Sequence, residues 1–224
     1  MEPINDVNCG WLHGVNYGSQ FEQIKGLHTA DFVIIGAGIT GLSAARQLGK
    51  LKPDNKIILV DAQICGEGAS SRNSGYLVES TLNDGFVSNK KLEGYREKTE
   101  LYRYGIRSVK SFIKEHQVDC DWNECGKYYA SSNITDKKRL QEFSKTLKSI
   151  NINHEILNEL DLKNRLGTSF YKTSIFTNGD VMLNPAKLTK SMVKALPSNI
   201  QVYENSKLVK WNRDNKIINC FFEN

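Results

Sequence analysis

The residues best placed to do chemistry are the three glycines of Gly36-Ala-Gly38-Ile-Thr-Gly41. The chemistry they suit is the cradling of a pyrophosphate. Gly36 permits a tight turn, Gly38 lets the backbone approach the phosphates, and Gly41 lets a helix pack close to a strand. Free N–H groups and the dipole at a helix start both favour negative charge. Asp61 lies 25 residues after Gly36, at the end of the next apolar run. Its carboxylate can accept hydrogen bonds from ribose hydroxyls, and an acid there disfavours an added 2′-phosphate. The first set of candidate cofactor contacts is therefore Gly36, Ala37, Gly38, Ile39, Thr40, Gly41, Asp61 and Ala62. The dinucleotide at this point is either NAD or FAD, and a glycine-rich turn without a ligand is the plain alternative.

The context of the motif is what gives it weight. Asp31-Phe-Val-Ile-Ile35 reads as a buried parallel strand, Thr40 to about Leu51 as a helix with Leu42, Ala45 and Leu48 on one face, and Lys56-Ile-Ile-Leu-Val60 as a second buried strand. Pro53-Asp54-Asn55 makes the turn between helix and strand. Residues 1–30 read as a polar lead-in arm in which Trp11 and Phe21 could dock on the body.

Further along, apolar or neutral positions at Leu92, Tyr95, Thr99, Tyr102, Ile106, Val109 and Ile113 predict an amphipathic helix over about Lys90 to Glu115. One or two strands are predicted over 118–132 around Asn123-Glu-Cys-Gly126. Leu140, Phe143, Leu147 and Ile150 mark another helix. Glu159 to Leu166 reads as a short helix stopped by Gly167, and Asn184-Pro185 as the start of a helix running to about Leu196. Ile200 to Tyr203, Leu208 to Trp211 and Lys216 to Phe222 read as strands, the last two forming a hairpin about Asn212-Arg-Asp-Asn215.

Composition narrows the remaining functions. The 224 residues are 39% hydrophobic and 25% charged, as in a globular chain. No stretch nears the roughly 20 apolar residues of a membrane span, and no secretory signal opens the sequence. A cytoplasmic location is the default. The charge of +5 (30 basic, 25 acidic) is spread out, with no basic block interleaved with aromatics, so nucleic-acid binding is disfavoured. Five scattered cysteines, none in CxxC, argue against a disulfide framework or a zinc site, and the four histidines lack metal-ligand spacing. Arg103 and Arg107 read as solvated charges rather than an anion site, and Tyr128 and Tyr129 as packing residues with substrate contact as the alternative.

A second motif follows Asp61 closely. In Gly66-Glu-Gly68-Ala-Ser-Ser-Arg72-Asn73-Ser-Gly75, small residues permit close approach, and hydroxyl and amide groups supply hydrogen-bonding capacity. Here the sequence resembles the D-amino-acid-oxidase-like (DAO) family of FAD-dependent oxidoreductases. That family has a strand-end acid followed by a loop like G-x-G-A-S-x-R-N-x-G, matched by Gly66, Gly68, Ala69, Ser70, Arg72, Asn73 and Gly75. The resemblance implies that Gly68, Ala69, Ser70, Arg72, Asn73, Ser74, Gly75 and Tyr76 follow the cofactor towards the flavin. Downstream, Asn178-Gly-Asp-Val-Met-Leu-Asn184-Pro185-Ala-Lys-Leu188 resembles the family's return to the FAD domain. Ile200 to Leu208 resembles its adenine-contacting strand and turn, with the Leu208 backbone facing the adenine. Some relatives attach flavin through a histidine in the loop; Asn73 or its neighbours stand in that place, so the implied FAD is non-covalent.

The fold implied is α/β: a Rossmann-type FAD/NAD(P)-binding domain with part of an interleaved α+β substrate domain. The domains are an arm over 1–30, a discontinuous FAD-binding domain over 31–117 and 184–224, and part of the substrate domain over 118–183. The resemblance implies FAD-dependent oxidation of the C–N bond of an amine or amino acid. It places the usual catalytic residues beyond Asn224, so no catalytic residue is named and no metal is expected. The chain thus reads as truncated, from a fragment, a split gene or an interrupted frame, with a second chain as a possible completing partner. The alternatives are an NAD-binding dehydrogenase, which leaves the Gly66–Gly75 loop unexplained, and a non-catalytic FAD-binding fragment.

Overall fold

The structure, a computed structural model, describes residues 9–15, 18–79 and 92–223. The first eight residues and positions 16 and 17 of the predicted arm lie outside the described residues, as does Lys90. The chain divides into two compact units: Met1–Gly75 with His116–Cys120 and Asn184–Asn224, and Tyr76–Glu115 with Asp121–Leu183.

In the first unit, β1 (Phe32–Ile35), α1 (Ile39–Leu51) and β2 (Ile57–Val60) form the βαβ crossover, and β8 (Ile200–Tyr203) completes a parallel sheet of order β1-β2-β8. Phe32 pairs with Ile57 and Ile35 with Val60. On the other side of β2, Ile57 pairs with Ile200 and Val60 with Tyr203. Residues 57–60 are buried throughout because β2 is central. Alternation along the strand sends Ile58 and Val60 to one face, where they cluster with Ile24 and Tyr203. Leu42, Ala45 and Gly49 form the buried stripe of α1. α5 (Pro185–Lys194) packs against α1; Asn184 caps it by accepting the N–H groups of Ala186 and Lys187, with Pro185 in the first turn.

Three expectations for this unit are corrected. β1 is not a buried strand: Phe32, Val33 and Ile35 are 36%, 42% and 48% exposed. An apolar run predicts cover on both faces, but among the described residues β1 pairs only with β2 and forms the sheet edge. The hairpin of β9 (Leu208–Asp214) and β10 (Ile217–Phe222) turns at Asn215 and Lys216, because Asp214 still pairs with Ile217. α5 ends at Lys194, short of Leu196.

The second unit is α+β. β4 (Lys127–Ser131), β6 (Thr173–Thr177) and β5 (His154–Asn158) form an antiparallel sheet of order β4-β6-β5, and β3 (Tyr76–Leu77) pairs with β7 (Val181–Met182). α3 (Lys137–Ser149) places Leu140, Phe143 and Leu147 in one cluster with Ile150, Ile152 and Ile175, and Tyr95 of α2 (Leu92–His116) packs on it. α4 (Glu159–Leu166) has a capping box from Asn158 and Asp161. Gly167 ends it at φ 71°, a left-handed conformation that costs glycine nothing.

The domain limits also differ from expectation. Tyr76–Glu115 groups with the second unit, not the first, because Tyr76 and Leu77 pair with Met182 and Val181, and α2 packs on the α3 cluster. Residues 118–120 group with the first unit, where Asn184 N–H bonds the Cys120 carbonyl at 2.7 Å. Among the described residues, no helix is long and apolar enough to cross a membrane.

Candidate functional site

Gly36 leaves β1 at φ +94°, a conformation that L side chains rarely adopt, and its N–H reaches the Val60 carbonyl at 2.7 Å. A Cβ on Gly41 would lie 1.8 Å from the Gly36 carbonyl oxygen, so the helix start and strand end are in backbone contact. A Cβ on Gly38 would lie 2.8 Å from Ser70 Oγ. Gly36 and Gly41 thus meet the turn and close-packing demands inferred from their spacing, and Gly38 leaves room for Ser70. No acidic side chain occupies the first turn of α1, and Gly38, its N-cap, has no side chain to cap it. The cap comes from the second motif: Ser70 Oγ accepts the Ile39 N–H at 2.9 Å. Ile39 and Thr40 are exposed here, as an open anion cradle requires.

The carboxylate of Asp61 is half-buried. Its Oδ2 accepts the Ala37 N–H at 2.6 Å and its Oδ1 the Gln63 N–H at 2.8 Å. Each oxygen keeps a further lone pair for a hydroxyl donor. The next residue, Ala62, is exposed. Gly66 N–H bonds the Ala37 carbonyl at 3.0 Å, so both peptide groups of Ala37 are spoken for. Asp61, the glycine turn and the start of the 66–75 loop are therefore one hydrogen-bonded assembly.

The loop holds itself together. Gly68 leads into a 3-10 turn at Ala69–Ser71. The Asn73 amide donates to the carbonyls of Ala69 and Ser70 at 3.2 and 2.9 Å and accepts the Gly75 N–H at 2.8 Å. Ser74 is exposed. Arg72 donates to the Glu67 carbonyl at 2.8 Å and pairs with its carboxylate at 3.7 Å. Ser71 Oγ, fully buried, bonds the Gly66 carbonyl and Thr189 Oγ1, which ties the loop to α5.

Two predicted contacts stand apart. Leu208 begins β9, half-buried and opposite Phe222; among the described hydrogen bonds none joins it to either glycine motif. Its neighbours come closer, with Asn205 N–H to the Gln63 carbonyl and Ser206 N–H to the Asp61 carbonyl at 3.1 and 2.9 Å. Tyr76 belongs to the second unit, where its hydroxyl donates to the Gly126 carbonyl at 2.8 Å. Burial pushes that phenol well above its usual value, with Asp180 adding to the shift.

The sequence reading missed Glu204. It is fully buried, and its Oε1 accepts the Cys65 N–H at 2.9 Å at the base of the loop. Burial would raise its carboxyl, but hydrogen bonds from Cys65, Ser19, Gln20 and Phe21 outweigh it and hold the pKa below the ordinary carboxylate value. An acid after an apolar strand carried no sequence signal of burial. Arg103 is not a solvated charge: its guanidinium bonds Glu79 at 2.5 Å, Glu100 at 2.9 Å and the Asn151 carbonyl at 3.1 Å. Tyr129 and Tyr128 pack against Phe143 and Phe176. Among the described residues no group of acids, cysteines and histidines could hold a metal, and no disulfide forms.

Residues 31–220 match the DAO family, described as FAD dependent oxidoreductase. The Haemophilus influenzae protein named Probable oxidoreductase OrdL is 25% identical over 212 residues, covering 91% of this chain and 48% of that protein. Gamma-glutamylputrescine oxidoreductase of Escherichia coli is 32% identical over 117 residues, covering 51% of this chain and 27% of that protein. Glycine oxidase from Geobacillus kaustophilus superposes with a TM-score of 0.72 at 16% identity, over 88% of this chain and 52% of that one; that likeness is one of fold. The chain spans about half the length, or less, of the proteins it matches.

Proposed function

The chain belongs to the DAO family of FAD-dependent oxidoreductases, and we propose that it holds FAD non-covalently as the cofactor-binding part of an enzyme that oxidises the C–N bond of an amine or amino acid. The observation that carries the FAD reading is the joining of the two glycine motifs through Ser70 Oγ to Ile39 N–H and Gly66 N–H to the Ala37 carbonyl. A nicotinamide reading accounts for the first motif and gives the second no task.

In this reading the backbone of Gly38 to Gly41 and the start of α1 hold the pyrophosphate, and Asp61 and Ala62 flank the ribose. Gly68, Ala69, Ser70, Arg72, Asn73, Ser74, Gly75 and Tyr76 follow the ribityl chain, and the Leu208 backbone meets the adenine. Bound FAD would supply two-electron redox chemistry, the oxidation of a substrate C–N bond to an imine that water can hydrolyse. This chain's residues bind and orient; no catalytic base is assigned among them. The amine preference rests on the kinship with gamma-glutamylputrescine oxidoreductase.

Purification tests both parts. A yellow preparation whose flavin is released into solution by acid precipitation supports non-covalent FAD. Nicotinamide binding without flavin sinks the reading. Anaerobic bleaching of the flavin by amines or amino acids, and not by 2-hydroxy acids, supports C–N chemistry; the reverse selectivity overturns it.

A further inference from the structure

We propose that the segments 9–15 and 18–24 form a strap that holds both ends of the 65–75 loop in its binding shape, with Trp11 as a positioning residue. For its effect on cofactor affinity the inference rests on the FAD reading above; for its effect on the loop it does not.

The strap has two clasps. At the tip of the loop, Trp11 Nε1 donates to the Asn73 carbonyl at 2.8 Å, across 62 residues of sequence. Asn73 is the residue whose side chain knits Ala69, Ser70 and Gly75 together. An indole has one N–H and no acceptor, so this bond fixes the ring against that carbonyl and no other. Cys9 Sγ lies 4.0 Å from the Ser71 carbonyl, and the 3-10 turn Gly10–Leu12 rests on α5.

At the base, the buried Glu204 joins strap and loop through one carboxylate. Its Oε1 takes the Cys65 N–H, while its Oε2 takes Ser19 Oγ and Gln20 N–H at 2.8 Å and Phe21 N–H at 3.2 Å. Ser206 Oγ accepts the Ile24 N–H at 2.9 Å, and Glu204 N–H bonds the Glu22 carbonyl at 3.2 Å. Charge-assisted bonds of this kind are stronger than neutral ones, and the one from Cys65 N–H is buried. The described segments 9–15 and 18–24 are thus fastened at Asn73 and at Cys65, the two places between which the loop must keep its shape.

Trp11→Phe keeps an aromatic ring and deletes only the N–H; Ser19→Ala weakens the other clasp by one bond. Hydrogen exchange of the apo protein and FAD titration of the same samples give the test. In Trp11→Phe the amides of 66–75 are expected to exchange about fivefold faster while those of β2 are unchanged, and the Kd for FAD is expected to rise by about the same factor, the worth of one hydrogen bond. Ser19→Ala is expected to shift exchange at Cys65 and Gly66 first. Loop exchange equal to that of the unaltered protein, or a rise spread evenly over the first unit with the Kd unchanged, overturns the strap. If the unaltered protein takes up no flavin, the functional reading falls, and the exchange pattern alone still decides the strap.

Discussion

Asp61 and Ala37 share a 2.6 Å hydrogen bond from the Ala37 N–H to Oδ2, with Ala37 fully buried beneath it. The strand-end acid therefore has a task before any ribose arrives: it shapes the glycine turn. Asp61→Ala leaves a buried N–H without an acceptor, at a cost of about 1–3 kcal/mol. Asp61→Asn keeps an oxygen for Ala37 and gives up one for Gln63. The expected order of melting temperature is native, then Asn, then Ala. FAD affinity should fall in both variants, which separates the two tasks of the residue. A melting temperature for Asp61→Ala equal to the native one contradicts the shaping role.

Glycine at 41 and at 105 should respond oppositely to alanine. A Cβ at 41 meets the Gly36 carbonyl oxygen at 1.8 Å, so β1 and α1 must part. The cost is about 3 kcal/mol or more, at the upper end for overpacking. Gly105 lies exposed within α2 with nothing within 4 Å of a Cβ. Gly105→Ala should stabilise by about 1 kcal/mol. Denaturant midpoints of the two variants check both signs.

Much of the site was legible because its constraints are local. Spacing alone pointed to the tight turn at Gly36 and the close helix approach at Gly41, and cap chemistry alone to the starts and stops at Asn184, Pro185 and Gly167. What stayed hidden depends on partners far away in sequence. β6 carries buried Thr173, Ser174 and Thr177, so its polar letters mask a central strand. β1 reads as fully covered, yet exposure depends on how many strands flank it. Glu204 and Arg103 look like surface charges until Cys65 and Glu79 are brought to them. The length and stripe of α2 were visible, but its membership in the second unit was not, since only tertiary contacts reveal it.

Glu204 and Asp180 should give opposite pH dependences. The hydrogen bonds to Glu204 hold its folded pKa below the unfolded value. Its contribution to stability is therefore complete above the unfolded pKa and is lost as pH falls through the folded one. Beside it lie the Cys65 thiol, which burial first and then the charges of Glu204 and Asp61 push up, and Lys190, whose charge opposes that shift. Burial raises Asp180, against hydrogen bonds from Glu79 N–H and Thr177 and the charge of Lys127. Its contribution is complete below the unfolded pKa and is lost as pH rises through the folded one. Between about pH 5 and pH 3, Glu204→Gln should flatten the acid loss of stability, and Asp180→Asn should steepen it. Melting curves across that range that change in the same direction for both variants contradict the assignment.

Ser70 and Gly38 should be energetically coupled. The α1 cap is supplied from the other motif, since Gly38 has no side chain and Ser70 Oγ takes the Ile39 N–H. Ser70→Ala removes that cap, at about 1 kcal/mol, and should weaken FAD binding in parallel. Gly38→Ala sets a Cβ 2.8 Å from the same hydroxyl, whereas Ser70 Cβ is 3.8 Å away. In the native background this substitution drives the hydroxyl from its place and breaks the cap. In the Ser70→Ala background the obstacle and the cap are both already gone. The double variant should therefore lose less stability than the two single variants added, by at least about 0.5 kcal/mol. Simple additivity in urea denaturation would show that a Cβ at Gly38 does not act through the Ser70 hydroxyl, and an unchanged midpoint in Ser70→Ala would show that the cap contributes nothing.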